Sequence, residues 1–127
     1  MSYTDYLEDS IQDHVHGGTA FTAPSGQFLA LFSVTPSDAG GGTELAVANG
    51  YARQAITFGA SSGGVASNTS AVTFSASGAD WSAAVAAAVM DASTGGNMLE
   101  WNSITSVTVL DGSDLVYAIG DIDSTLA

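Results

Sequence analysis

The chain is cut at short intervals by clusters of glycine, serine and aspartate: TPSDAGGGTE (35–44), GASSGGVASN (59–68), STGGN (93–97) and DGSD (111–114). Such clusters favour turns and left-handed backbone, and they stop helices. What lies between them has the length of strands. FLALFSV, Phe28 to Val34, is a continuous apolar run, suited to a strand buried on both faces. GYARQAITF, Gly50 to Phe58, alternates, with Ala52, Ile56 and Phe58 on one side and Tyr51, Arg53 and Thr57 on the other. SAVTFSA, Ser70 to Ala76, reads as a further strand. AAVAAAVMDA, Ala83 to Ala92, is ambiguous because alanine favours helix. Its bracketing by GAD and STGGN, with MLEW (Met98 to Trp101) beyond, makes it a strand of a hairpin. SVTVL, the turn Asp111 to Asp114 and LVYAIGDI then form a second hairpin. Roughly six to eight short strands at about 8–12-residue spacing indicate an all-β fold, an antiparallel β-sandwich of jelly-roll-like kind. No internal repeat of fixed period is present.

The N-terminal segment differs. Ser2 and Asp5 match a capping box, and Asp5, Glu8 and Asp9 suit the positive end of a helix dipole. Tyr3, Leu7, Ile11 and Val15 recur every four residues as one narrow apolar stripe, and Gly17 supplies a left-handed stop. The expectation is one domain over 1–127, with an amphipathic helix over 1–17 and strands over 27–127. His14 and His16 fall in the last helical turn, where the negative helix end favours them. Half of a metal site is the competing reading; no spacing places further ligands.

Thirteen acidic residues face one basic residue, Arg53, for a formal charge of -12. Phosphate binding requires cations, so nucleic acid and anionic membranes are not expected partners. The absence of lysine, ten aspartates against three glutamates, and an alanine- and valine-rich composition suggest adaptation to molar salt, as in a haloarchaeal setting. Ordinary acidic solubility is the alternative. No cysteine is present, so disulfides and thiolate chemistry are excluded. No basic stretch precedes an apolar run at the N-terminus, so no secretory signal is expected, and Ala83 to Met90 falls far short of the roughly 20 residues of a bilayer span.

Several short patterns imitate active sites. Asp121-Ile122-Asp123-Ser124-Thr125 matches the D-x-D-x-T nucleophile signature of aspartate-based phosphatases, but it lies at the end of the last expected strand and outside any Rossmann-like context, and reads as a strand end with solvated carboxylates. Asp111, Asp114, Asp121 and Asp123 form a weak candidate site for Ca²⁺ or Mg²⁺, without EF-hand spacing. No G-x-S-x-G elbow, P-loop or dinucleotide fingerprint occurs. Asn68-Thr69-Ser70 fits a glycosylation triplet and reads as an exposed turn. Arg53 is expected to serve structurally, within the chain or across an interface, with an anionic ligand as the alternative. Trp81 and Trp101 are expected as core or interface anchors before sugar platforms.

Taken together, YLEDSIQDHVHGGTAFTAP, FLALFSVTPSDAG, GYARQAITF, SNTSAVTF, the DW pair and MDASTGGNMLEW resemble, in order, a family of short virion structural proteins of tailed viruses commonly labelled "tail fiber protein". AAVAAAV stands where that family has a more aromatic strand, and the stretch from Asp111 matches weakly. The resemblance implies a non-enzymatic, homo-oligomeric virion-surface part without catalytic residues or cofactor. A short chain without coiled-coil character is better suited to capping capsomers than to an extended fibre. The first expectation is therefore a capsid-surface decoration or turret component of a haloarchaeal tailed virus, contacting the major capsid protein. The alternative is a tail-fibre or receptor-binding module that recognises host surface glycans.

Overall fold

The computed structural model describes residues 1–126. The apolar run folds as expected into a central strand. Strand β2 (Gln27–Val34) pairs antiparallel with β7 (Ala84–Met90), and β7 pairs with β8 (Met98–Val107) through the STGGN hairpin. β1 (Ser2–Tyr3) extends this sheet beyond β8. On its other edge β2 is shared by β3 (Thr43–Glu44) and β4 (Gln54–Ile56), giving a six-stranded sheet ordered β1-β8-β7-β2-β3 with β4 on β2. Two antiparallel ribbons complete the β structure. One joins β5 (Val65–Ser67) to β10 (Asp123–Thr125), the other β6 (Val72–Ser75) to β9 (Asp114–Tyr117).

The ribbons pack on one face of the sheet. Leu29, Leu31, Ala87 and Val89 from the sheet meet Val72 and Phe74 of β6 and Ile122 of the loop before β10, all buried. A fully buried Leu or Phe contributes roughly 1.5–3 kcal/mol, so this inner face holds most of the apolar stabilisation. On the outer face Ala30, Ala86 and Ala88 are closed over by Phe32 and Met90, with Met98 and Trp101 partly covering them, all from the sheet's own strands. Alanine offers little area there. The fold is thus an antiparallel β-sandwich whose second layer is split into ribbons.

Local features depart from the sequence pattern. The N-terminal helix α1 covers only Asp5–Gln12, and Ser2 lies in a strand. Thr4 is the cap: its side chain accepts from the Leu7 N–H at 3.4 Å and donates to the Met98 carbonyl at 2.6 Å. A π-helical turn, Asp13–Gly17, follows, and Gly18 at φ 73°, not Gly17, takes the left-handed stop. The four-residue stripe therefore breaks. Tyr3 sits on a strand, Leu7 packs on the core, Ile11 is half-buried and Val15 is 63% exposed. The wider pitch of the π turn carries Val15 off the stripe.

The alternation in 50–58 holds at Ile56, Thr57 and Phe58 but fails at its start, where Asn49 and Gly50 both have positive φ and Tyr51 is buried while Ala52 is exposed. A side chain on Gly50 would meet the Ser75 carbonyl oxygen at 2.7 Å. The expected second hairpin does not form. Leu110 to Ser113 makes the turn, with Ser113 N–H donating to the Leu110 carbonyl at 2.9 Å, but β9 leaves it to pair with β6. Trp81 instead bonds Val109, its N–H donating to the carbonyl at 3.0 Å, so the stretch before the turn stays with the sheet's layer and the stretch after it joins the ribbons. The alanine-rich strand is confirmed as strand, with the tertiary context overriding helix propensity.

Candidate binding surfaces

A concavity of about 560 Å³ lies on the outer face of the sheet. Phe32, Met90 and Met98 form an apolar floor, and Asp5, Tyr6, Asp38 and Asn97 stand on the rim. Its wall is the glycine loop after β2. Ser37 and Gly40 exchange backbone hydrogen bonds at 2.9 and 2.8 Å, closing a tight turn. Gly42 must be glycine, since a Cβ there would lie 2.6 Å from the Val34 oxygen at a φ of +75°. Asp38 fastens this loop across the sheet. Its Oδ1 accepts from Ser2 Oγ and from Trp101 Nε1, each at 2.9 Å, and its carbonyl accepts from the Asp5 N–H at 2.9 Å.

Arg53 borders the same concavity but is fully used by the fold. Its Nε and one terminal nitrogen donate to Glu44 Oε1 and Oε2 at 2.9 Å, a bidentate pair. The other terminal nitrogen donates to the carbonyls of Ala92 and Gly95, both at 2.8 Å, so the guanidinium ties β3 to the β7–β8 turn. Tyr51 joins the group: its hydroxyl donates to Glu44 Oε1 at 2.8 Å and accepts from the buried Leu31 N–H at 3.0 Å. Burial is the main reason the Tyr51 phenol titrates above its ordinary range. The Glu44 hydrogen bonds, more than its charge, raise the Arg53 pKa further. All of these Arg53 contacts lie within one chain.

The tryptophans part company. Trp81 is a core anchor, 6% exposed, set edge-on to Tyr51 at 5.4 Å with its Nε1 donating to the Asn49 carbonyl at 2.8 Å. Trp101 is half-buried on the outer face and oriented by Asp38. The four candidate cation ligands are dispersed into separate local roles. Asp111 accepts from the Gly78 N–H, Asp121 from the Ala118 N–H and Asp123 from the Ser67 hydroxyl, while Asp114 starts β9 exposed. Only the Asp121 bond is a turn contact; Asp111 and Asp123 tie segments far apart in the chain. Among the described residues no group of three or more His, Asp or Glu side chains is placed to hold a metal ion. His14 accepts the Phe21 N–H at Nδ1, 3.1 Å away, and so serves the loop. Asn68 is not an exposed turn residue: it is 2% exposed, donating to the Ser70 and Ala118 carbonyls and accepting from the Ile122 N–H.

Sequence reasoning missed Glu44, Asp38 and Glu100. For Glu44 a signal existed, since a lone arginine needs a carboxylate and the chain has only three glutamates. Asp38 read as a turn aspartate, and nothing in its loop marked a tie across the sheet. Glu100 was hidden by a register shift in β8 between the partners of Val89 and Met90, which breaks the alternation that would have flagged it.

The fold and its surfaces define a small antiparallel β-protein whose outer face carries an open cleft with an apolar floor. The sequence matches the family described as podophage GP4 fiber I protein gp80 over residues 2–125, and the chain belongs to that family. It is therefore a virion-associated structural protein of the tail-fibre kind from a tailed virus. No curated protein matches the sequence. No helix among the described residues is long and apolar enough to cross a membrane.

Proposed function

We propose that the chain is a non-enzymatic building part of the tail-fibre apparatus, and that the outer cleft meets saccharide on the host surface. The family match over residues 2–125 carries the first half of this reading and favours the tail over capsid-surface decoration. The cleft supports the second half. An apolar floor with acceptors on the rim, Asp5 and Asp38, beside the exposed ring of Tyr6, suits stacking on a sugar face and hydrogen bonds from its hydroxyls. Such contacts are weak singly, and several copies per fibre give avidity without new contacts.

Separation of heads from tails in gently dissociated virions, with this chain quantified against the major capsid protein, tests the location. Copies travelling with tails are expected, whereas a stoichiometry tied to capsomers on heads would return the decoration or turret reading. The cleft is tested by binding of the purified chain to host surface polysaccharide. Tyr6→Ala with Asp5→Asn should weaken it about tenfold or more, since neither side chain is needed by the core. Equal binding by the double variant would remove the cleft from the reading.

A further inference from the structure

A second, smaller crevice lies among β1, α1, β8 and the β5–β10 ribbon and holds a buried carboxylate. It measures about 210 Å³ and is walled by Leu7, Phe21, Pro24 and Phe58. Glu100 lines it and is itself only 3% exposed. Glu100 Oε2 accepts from Ser124 Oγ at 2.6 Å, and Ser124 in turn meets the Tyr3 hydroxyl at 3.3 Å. Oε1 accepts no hydrogen bond from the described residues. No fully enclosed side-chain oxygen among those residues lacks a partner, so Oε1 is not fully enclosed, and Glu100 lines the crevice.

A carboxylate set among apolar walls calls for a cation. Beyond the N-terminal ammonium, whose charge acts on Glu100 from a distance, this chain has no lysine or free arginine to offer. Its one arginine, Arg53, is committed to Glu44 and to the carbonyls of Ala92 and Gly95. The N-terminal ammonium donates to the Asp123 carbonyl at 3.2 Å. A second copy would bring the same deficit. A lysine that reached Glu100 would therefore come from a different chain.

We propose that this crevice receives a lysine side chain of another virion protein, its aliphatic stem between Leu7, Phe21 and Phe58 and its ammonium on Glu100 Oε1. One open oxygen decides for lysine over arginine. A guanidinium gains most from a bidentate fork, and Ser124 already holds Oε2, whereas an ammonium is a point charge satisfied by a single acceptor. The volume equals about seven waters at about 30 Å³ each, enough for a four-carbon stem and its head. The phenyl faces of Phe21 and Phe58 add cation–π attraction.

The test uses the full chain and n-butylammonium as the lysine mimic, followed by amide chemical shifts. Butylammonium should move the Leu99, Glu100 and Ser124 resonances with half-saturation at roughly 10 mM. Butanol at equal concentration should leave them in place. Glu100→Gln should weaken the response at least about tenfold. Ala66→Leu, which fills the crevice from β5 and leaves Glu100 intact, should do the same if Glu100→Gln folds poorly. Equal shifts from butanol, or none from butylammonium, would overturn the proposal. In intact virions, carbodiimide should join the Glu100 peptide to a lysine of another protein; cross-links from other acids with none from Glu100 would overturn the partner. The source of the lysine rests on the chain being a virion part, but the titration does not, so the two readings fail separately.

Discussion

At the scale of single residues, the one cation of the chain sits where a charge is hardest to replace. The Arg53 side chain is 9% exposed and uses its planar fork on both Glu44 oxygens and on two carbonyls. Lysine keeps the charge but cannot reach four acceptors, so Arg53→Lys should cost about 1–3 kcal/mol, read as a lower urea midpoint. A midpoint unchanged from the parent would mean that the fork adds nothing beyond charge. Glu100 makes a prediction of opposite character. Burial raises its pKa above the usual glutamate value, against the lowering effects of Ser124 and of the N-terminal ammonium. The charge that acts on it is that ammonium, which does not change in the acidic range. The folded state then holds a proton that the unfolded state has released. Its stabilising contribution is complete below the ordinary glutamate pKa and is lost as pH rises through the raised one. Urea midpoints followed from about pH 4 to pH 7 should fall less steeply in Glu100→Gln than in the parent. Parallel curves would assign the pH slope to other groups.

At the scale of elements, the strands that end in glycine-rich turns were legible because both signals, apolar run and breaker, are local. FLALFSV, VTFS and AVAAAVM appear as strands close to where the pattern put them. Pairing was not legible, since which strand β9 joins depends on contacts between its residues and a segment some forty positions earlier. The helix stripe failed for a related reason: a regular four-residue spacing says nothing of a π turn or of Tyr3 being drawn into the sheet by Glu100. The two surfaces were illegible for the most part, because each gathers residues from separate elements. The capping difference is directly measurable. Thr4 is buried, caps α1 and bonds β8, so Thr4→Ala should cost about 1–2 kcal/mol, whereas Ser2→Ala, which loses one exposed hydrogen bond to Asp38, should cost less than about 0.5 kcal/mol. Val15→Asp should likewise stay within about 0.5 kcal/mol, since Val15 is exposed. A large loss from Ser2→Ala or Val15→Asp, in thermal or urea unfolding, would restore the longer helix.

At the scale of the whole molecule, a formal charge of -12 goes with a single arginine tied into an internal ion pair, so the net outward field is acidic. Two copies approaching one another therefore meet like charge, with no lysine or free arginine to form a salt bridge between them. Their association has to rest on apolar surface, for which the exposed Val47, Ile119 and Val116 are available, and on screening. Screening strengthens steeply with salt, the Debye length falling from about 10 Å at 0.1 M to about 3 Å at 1 M. Contacts with a lysine-bearing partner obey the reverse rule, because salt weakens attraction between opposite charges. The two kinds of contact thus separate on one axis. The chain alone should unfold at a higher temperature, and self-associate more, in molar NaCl than at about 0.1 M. Its attachment to virion particles from which it has been stripped should loosen over the same range. Sedimentation of the free chain and rebinding to stripped particles, run at matched salt, measure both. If both contacts strengthen with salt, attachment is apolar and the lysine at Glu100 contributes little; if neither melting nor self-association responds, the acidic surface is a matter of solubility and carries no adaptation to brine.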